Sequence, residues 1–241
     1  MSDRNSTQNP IPENGLPITR VWHEVGHVFA YELIQVLGKK TYKIIDFNLL
    51  SDCENSLRVV SDDTIYKHRD NETVMDYQNR LLKRLRKRDD ICLQLIINAM
   101  GPVLQLSVMH PEPSEAEFKT LFSNIEGEGK DGELEAQGYD DFEKIKALVA
   151  GSPFSMPDEL LRGFCMEVFA ILKKHHLFEH LEPIVTTCFT QFNGKQMQDI
   201  EKGVLLDERR RLAKLIHDPL KLDFFRLIGP FKRTFKRDMS L

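Results

Sequence analysis

The sequence is poor in cysteine, nearly balanced in charge and without the start of a secretory signal, and each absence excludes a class of protein. Its 241 residues include four Cys, 33 Lys+Arg and 37 Asp+Glu, and 41% of them are hydrophobic. This composition excludes collagen-like, mucin-like and wholly disordered chains. The cysteines form no CxxC pair, so we expect reduced core thiols in a cytoplasmic protein at the positions Cys53, Cys92, Cys165 and Cys188.

Two segments bear on secretion and membranes. Residues 1–16 lack a basic start followed by an apolar run and are rich in Ser, Asn and Pro, so we expect a flexible N-terminal arm. The most apolar stretch, residues 91–109, contains polar residues such as Asn98 and Gln105 and has Gly101-Pro102 in its middle. We interpret it as a buried helix that breaks near Pro102, not as a membrane span.

Charge is distributed unevenly along the chain. Residues 207–241 hold ten Lys/Arg and five Asp/Glu, a formal charge of +5, so the rest of the chain carries −9. Bases and aromatic residues are interspersed over 206–241, which we treat as a basic, aromatic C-terminal extension. We expect it to lie on an anionic membrane surface, on an acidic partner or on the acidic body of its own chain. Without a recognition module, the charge does not predict a nucleic-acid partner.

Hydrophobic periodicity predicts a mainly α fold with one small β-hairpin. Apolar residues recur at helical spacing over 17–37, and Gly38 supplies a stop signal. β-branched and aromatic residues in 41–50 and 56–66 predict a hairpin, which we expect next to the first helix. Further helices are expected over 72–109, from Asp140 to about Val149, from Pro157 to about His176, and over 177–191 and 194–217.

The first helix contains the sequence His23-Glu24-Val25-Gly26-His27, which fits HExxH. Residues i and i+4 share a helix face, so both imidazoles can bind one cation, and neutral imidazoles suit zinc. Glu24 can reach a metal-bound water and act as a general base. Gly26 costs about 1 kcal/mol in mid-helix relative to alanine, which indicates a close approach of metal, substrate or another backbone. The pattern predicts a hydrolytic zinc site.

Zinc held by two histidines needs a further protein ligand. On the residues alone this ligand stays open among seven side chains: Asp140, Asp141, Glu143, His68, His110, His175 and His176. Asp140 and Asp141 precede an apolar-periodic helix, where they are also typical of helix caps and first-turn acids. His175 lies with His176 at a helix end, where cations are common for electrostatic reasons.

Three segments resemble the peptidase domain of FtsH-type zinc metallopeptidases. Residues 21–28, Val-Trp-His-Glu-Val-Gly-His-Val, are similar to the family's aromatic residue followed by HEAGHA. Residues 99–105 resemble its GGRxAE stretch and residues 138–145 its (S/N)DLxxA segment, in the same order along the chain. The resemblance covers roughly residues 17–205 and implies a helical zincin-type domain there.

The resemblance also implies a ligand set and a substrate class. In that family an aspartate on the second helix is the third zinc ligand, which corresponds to Asp141, with Asp140 as the alternative. The implied site is therefore Zn2+ held by His23, His27 and Asp141, with Glu24 as the catalytic residue and a peptide or protein as substrate.

The chain departs from the family at two points. It contains no GxxxxGK[ST] sequence, so we expect a peptidase that acts without ATP, and the acidic residue of the GGRxAE stretch corresponds to Gln105. The predicted function is an ATP-independent zinc metallopeptidase. The alternative is a non-catalytic zinc-binding scaffold of the same fold that binds a partner or a membrane surface through its basic extension.

Overall fold

A computed structural model describes residues 18–38, 42–47, 57–61, 88–122, 141–143, 146, 158–192 and 202–237. The helices in these ranges are α1 (Ile18–Gly38), α2 (Arg88–Met109), α3 (Glu115–Thr120), α4 (Asp158–Lys174), α5 (Leu177–Phe192), α6 (Lys202–Lys214) and α7 (Asp218–Arg237). Residues 141–143 are also helical. The prediction of a mainly α fold is confirmed, whereas the predicted arm 1–16 lies outside the described residues.

Two short strands follow α1 in the chain. β1 (Tyr42–Phe47) pairs antiparallel with β2 (Leu57–Ser61), and the register joins Tyr42 to Ser61 and Phe47 to Leu57, with an irregularity between Ile44 and Asp46. Both strands lie within the segments whose composition favours a hairpin. The placement of this pair beside α1 stays a prediction.

The centre of the core is the contact between α1 and α2, which pack on each other more extensively than any other described pair of helices. The apolar side of α1 places Val21, Val25, Phe29 and Leu33 in the interior at the helical spacing that the sequence predicted. α2 is buried on nearly all sides, and α4 covers it with a stripe that includes Phe164. Burial of this apolar surface is the main source of stability.

Glycines permit the close approach of α1 and α2. A Cβ atom at Gly26 would lie 2.9 Å from the Cα of Gly101 and 2.9 Å from the carbonyl oxygen of Met100. Separations this short do not occur for real side chains, so only glycine fits at position 26 without a shift of α2. The close approach that Gly26 indicated is therefore that of another backbone.

The predicted break at Gly101-Pro102 is wrong, because α2 runs without interruption from Arg88 to Met109 with Pro102 inside it. Proline removes one helical hydrogen bond. Burial of the residues around it, Met100, Val103 and Leu104, offsets that loss. The stretch Cys92–Met109 has the length and apolarity of a membrane span, but 83% of it is buried inside the protein, as is typical of a core helix.

Part of the basic, aromatic extension packs on its own chain. Five of its apolar side chains belong to the main core: Leu212, Leu220, Phe224, Leu227 and Ile228. Arg209 on α6 also forms an ion pair with Glu32 on α1, and both side chains are largely covered. The segment from 208 to 228 is therefore part of the folded body.

Three of the four cysteines lie in the described residues, where Cys92, Cys165 and Cys188 are buried and form no disulfide. Burial raises the pKa of Cys165, and burial with the nearby Glu208 carboxylate raises the pKa of Cys188 to about 12. Both remain protonated, unreactive thiols near neutral pH. The expectation of reduced core thiols is confirmed for these three.

Candidate metal centre

Two side chains of α1 and the side chain of the distant Asp141 converge at the α1–α2 crossing. The Nε2 atoms of His23 and His27 lie 3.0 Å apart, and the Oδ2 atom of Asp141 lies 3.3 Å from the first and 3.5 Å from the second. Both histidines are buried, and Asp141 is mostly covered. These three residues form a group that is close enough to hold a metal ion.

The spacing of these atoms fits a tetrahedral ion. Ligand atoms at about 2.0–2.1 Å from such an ion lie roughly 3.3 Å from one another. The observed separations of 3.0, 3.3 and 3.5 Å lie around that value. Two imidazoles and one carboxylate leave a fourth tetrahedral position for water or substrate, as in catalytic zinc sites.

Hydrogen bonds from α2 fix the orientation of both imidazole rings. The carbonyl oxygen of Ile97 lies 2.9 Å from Nδ1 of His27, and because a carbonyl only accepts, this Nδ1 carries the proton and donates it. Nδ1 of His23 donates in the same way to Oε1 of Gln105, at 3.0 Å. With both Nδ1 atoms engaged as donors, the Nε2 atoms are available to bind a cation.

α2 also positions the third residue of the group. The side-chain amide of Asn98 donates to the backbone carbonyl of Asp141 at 2.8 Å, and Gln94 donates to Oδ1 of Asn98 at 3.0 Å. The next residue, Phe142, is buried and lies with its ring 4.4 Å from that of Phe122. These contacts hold the aspartate beside the two histidines.

Gly101 provides the space for one imidazole. A Cβ atom at this position would lie 2.6 Å from Nε2 of His27, 2.8 Å from its Cε1 and 2.9 Å from the carbonyl oxygen of His23. An alanine would therefore displace the atom of His27 that faces Asp141. The two glycines of the crossing have separate tasks, since Gly26 lets the helices approach and Gly101 lets the ring fit between them.

Electrostatics in the cluster favour a positive charge. Burial opposes protonation of His27, but the Asp141 carboxylate outweighs it, with smaller contributions from Glu24 and Ile97, and raises the pKa of His27 above its ordinary value. Burial similarly opposes ionisation of Asp141, but the two histidines bring its pKa well below the usual range. In the metal-free protein this raised pKa favours a proton on His27, where a metal ion would otherwise bring the positive charge.

Glu24 is buried beside this group and has a charged partner. The Nε atom of Arg20, one helical turn earlier, lies 3.1 Å from Oε1 of Glu24, and only 1% of the Glu24 side chain is exposed. A buried carboxylate is strongly destabilising without such a partner. Arg20 itself remains partly exposed and lies on the same side of α1 as the two histidines.

None of the other ligand candidates within the described ranges joins the group. His110 pairs with Glu117 at 2.7 Å, His175 with Asp223 at 2.8 Å, and Glu143 with Lys146 at 2.8 Å. His176 lies 3.7 Å from Glu179 at the start of α5. Asp140 and His68 lie outside the described residues.

Sequence reasoning missed most of the residues that support the site: Arg20, Ile97, Asn98, Gly101 and the orienting contact of Gln105. Asn98, Gly101 and Gln105 did carry a signal. They recur at i, i+3 and i+7 within an otherwise apolar helix, a spacing that places them on one face. Ile97 contributes a main-chain carbonyl, which leaves no trace in the amino-acid pattern.

Comparisons of the chain with protein-family models, curated proteins and solved structures found no match. The resemblance to FtsH-type peptidases therefore stays a prediction, which rests on three short segments at residues 21–28, 99–105 and 138–145.

Proposed function

We propose that this chain is an ATP-independent zinc metallopeptidase. His23, His27 and Asp141 would hold the ion, and Glu24 would act as the general base. The observation that carries the proposal is the convergence of three ligand atoms within 3.5 Å of one another, directly beside the buried glutamate of an HExxH sequence.

The donor set supports zinc over other common ions. Calcium and magnesium prefer shells made mostly of oxygen atoms, whereas two imidazoles with one carboxylate are typical of zinc enzymes. The hydrogen bonds made by the Nδ1 atoms of the two histidines agree with this assignment, because metal-binding histidines usually donate their other ring N–H to a carbonyl or carboxyl group. Here His27 donates to Ile97 and His23 to Gln105.

The chemistry divides between the ion and the chain. Zinc, when bound, supplies Lewis acidity, which acidifies water and polarises a substrate carbonyl. Glu24 accepts the proton of the attacking water at a carboxylate oxygen and passes it to the leaving amine. The negative charge of Glu24 also acts on the site, because it helps to raise the pKa of His27. Arg20 holds the Glu24 carboxylate in place.

Metal content tests the first half of the proposal. We expect near-stoichiometric zinc in the purified protein and a loss of at least about 100-fold in affinity for His23→Ala, since a ligand atom is removed. His110→Ala is the matched control, because His110 is a partly exposed histidine paired with Glu117, outside the site. A wild-type protein that binds no metal under chelator-free conditions would exclude the proposal.

Cleavage of a library of unstructured peptides tests the second half. Glu24→Gln should retain zinc and lose about 10²–10⁴-fold in kcat/KM, because the amide cannot accept the proton. Equal cleavage by wild type and Glu24→Gln would contradict the assigned role of Glu24. Zinc binding without cleavage by either protein would favour the alternative, a metal-binding scaffold.

A further inference from the structure

The outward face of α7 combines exposed apolar side chains with a cation. The inward face of this helix is committed to the core through residues such as Leu220 and Phe224. On the opposite side, Leu222 is 49% exposed and Phe225 is 50% exposed, and the Arg226 side chain is 71% exposed. Positions 222, 225 and 226 share one face by helical spacing. The apolar pair is therefore bordered directly by positive charge.

A second cation reaches the same surface from α4. The Nζ atom of Lys174 lies 2.7 Å from Oδ2 of Asp223, and Nη1 of Arg226 lies 3.6 Å from Oδ1 of the same carboxylate. Asp223 is 12% exposed, whereas 61% of the Lys174 side chain is exposed. Two exposed cations thus flank one covered carboxylate. The residue that follows α4 contacts the same carboxylate, since Nε2 of His175 lies 2.8 Å from Oδ2 of Asp223.

The amino-acid sequence extends the positive character along the helix. α7 continues to Arg237, and its last two turns contain Lys232, Arg233 and Lys236 as well. Residues 207–241, which include α7, carry a formal charge of +5, whereas residues 1–206 carry −9. An anionic surface is therefore attracted by residues 207–241 and, on net charge, repelled by residues 1–206, which orients the molecule.

We propose that this face of α7 docks on an anionic lipid bilayer, with headgroup phosphates at Lys174 and Arg226 and with Leu222 and Phe225 in the interfacial region. Basic residues near an anionic leaflet and a few shallowly inserted apolar side chains together produce reversible membrane binding. A stable protein interface buries roughly 800 Å² on each partner around an apolar centre, which two side chains do not supply. The inference does not depend on peptidase activity.

Vesicle binding by the full-length chain tests the proposal. We expect sedimentation with phosphatidylcholine vesicles that contain about 30% phosphatidylserine, no binding to pure phosphatidylcholine vesicles, and weaker binding as salt is raised. The double variant Leu222→Ser/Phe225→Ser should bind about tenfold or more weakly. Lys174→Gln and Arg226→Gln should each reduce binding about fivefold, the effect of one basic residue near such a surface.

Val36→Ser is the matched control, since Val36 is a similarly exposed apolar residue, at 48%, on α1. It should bind vesicles like wild type, and circular dichroism melts should show that every variant is folded. Equal binding to neutral and anionic vesicles, or an equal loss with Val36→Ser, would overturn the proposal. So would a concentration-dependent dimer that the double variant abolishes, because the face would then be a contact between copies of the chain.

Discussion

The α1–α2 crossing and the C-terminal helices α6 and α7 belong to one core but are built in different ways. At the crossing, glycine meets glycine, and buried polar groups such as those of His23 and Gln105 are paired with each other. The C-terminal helices pack through bulky side chains such as Phe224, while their charged groups lie near the surface. The crossing depends on exact atomic positions, whereas the C-terminal packing depends on buried apolar area, so substitutions should affect the two regions differently.

The largest effect on stability is expected in the C-terminal region. Phe224→Ala should lower the free energy of unfolding by about 3–5 kcal/mol, because it removes a fully buried ring and leaves a cavity. Metal affinity of the folded fraction should stay near that of wild type. Urea denaturation and zinc titration calorimetry measure the two quantities.

The neighbouring Phe225 is the control for this change, because it is half exposed. Phe225→Ala should change the free energy of unfolding by less than about 0.5 kcal/mol. A large loss of zinc affinity in folded Phe224→Ala would show that the two regions are not separate in this sense.

At the crossing, a single added methyl group should reduce metal affinity strongly and stability less than Phe224→Ala does. Gly101→Ala places a Cβ 2.6 Å from Nε2 of His27, so we expect at least about a 100-fold loss of zinc affinity. Overpacking should also lower the free energy of unfolding by about 1–3 kcal/mol. Zinc titration calorimetry measures the affinity, and urea denaturation in the presence of chelator measures the free energy of unfolding.

Gly163 offers the matched helical control, because nothing lies within 4 Å of a Cβ built there. Gly163→Ala should raise the free energy of unfolding by about 0.5–1 kcal/mol and leave zinc affinity unchanged. If Gly101→Ala behaved in the same way as Gly163→Ala, the steric account of the crossing would be wrong.

A smaller effect on zinc affinity is expected for Gln105, which contacts His23 but is not itself a proposed ligand. Gln105→Leu removes the acceptor that orients His23, and we expect zinc affinity to fall about 10–100-fold. Gln105→Glu keeps an acceptor at this position and should retain most of the affinity. Calorimetric titration with zinc measures both variants.

Ser107 is a buried polar residue on the same helix whose hydroxyl donates to the carbonyl of Val103, away from the site. Ser107→Ala should therefore leave zinc affinity unchanged. If Gln105→Glu lost as much affinity as Gln105→Leu, Gln105 would not act through its hydrogen bond to His23.

The crossing was predictable from the sequence where its signals are local. His23 and His27 are four residues apart, so helical geometry alone brings them to one face. Gly26 carried a further signal, since a mid-helix glycine has a cost that a close contact explains. The amphipathic period of α1 and α4 was equally local, and the structure follows it.

The parts that escaped prediction depend on contacts between distant segments. Ile97 and Gln105 reach the histidines across 70 and 82 residues, and helix periodicity does not specify which residue of α2 faces which residue of α1. Pro102 was misinterpreted for a related reason, because tertiary packing overrode its local preference. Asp141 was separable from Asp140 only by the resemblance to a family, since both are equally plausible helix caps.

The pH dependence of the free energy of unfolding gives the smallest expected difference between the two regions. In metal-free protein the pKa of Asp141 is depressed, so its contribution to stability is present above about pH 4 and is lost as pH falls through the folded value. The pKa of His27 is raised, so its contribution is present below about pH 6.5 and is lost as pH rises through the folded value. The stabilisation by this pair should therefore peak between roughly pH 4 and 6.5.

Asp223 provides the contrast, because the main cause of its lowered pKa is a hydrogen bond from the Lys174 ammonium, followed by one from His175. We expect the stability difference between wild type and Asp223→Asn to vanish only at acid pH, whereas the difference between wild type and Asp141→Asn should decline on both sides. Urea unfolding from pH 3 to 9 in chelator measures both curves. A curve for Asp141→Asn that stays level from pH 6 to 9 would mean that protonated His27 is not the partner that stabilises Asp141 in metal-free protein.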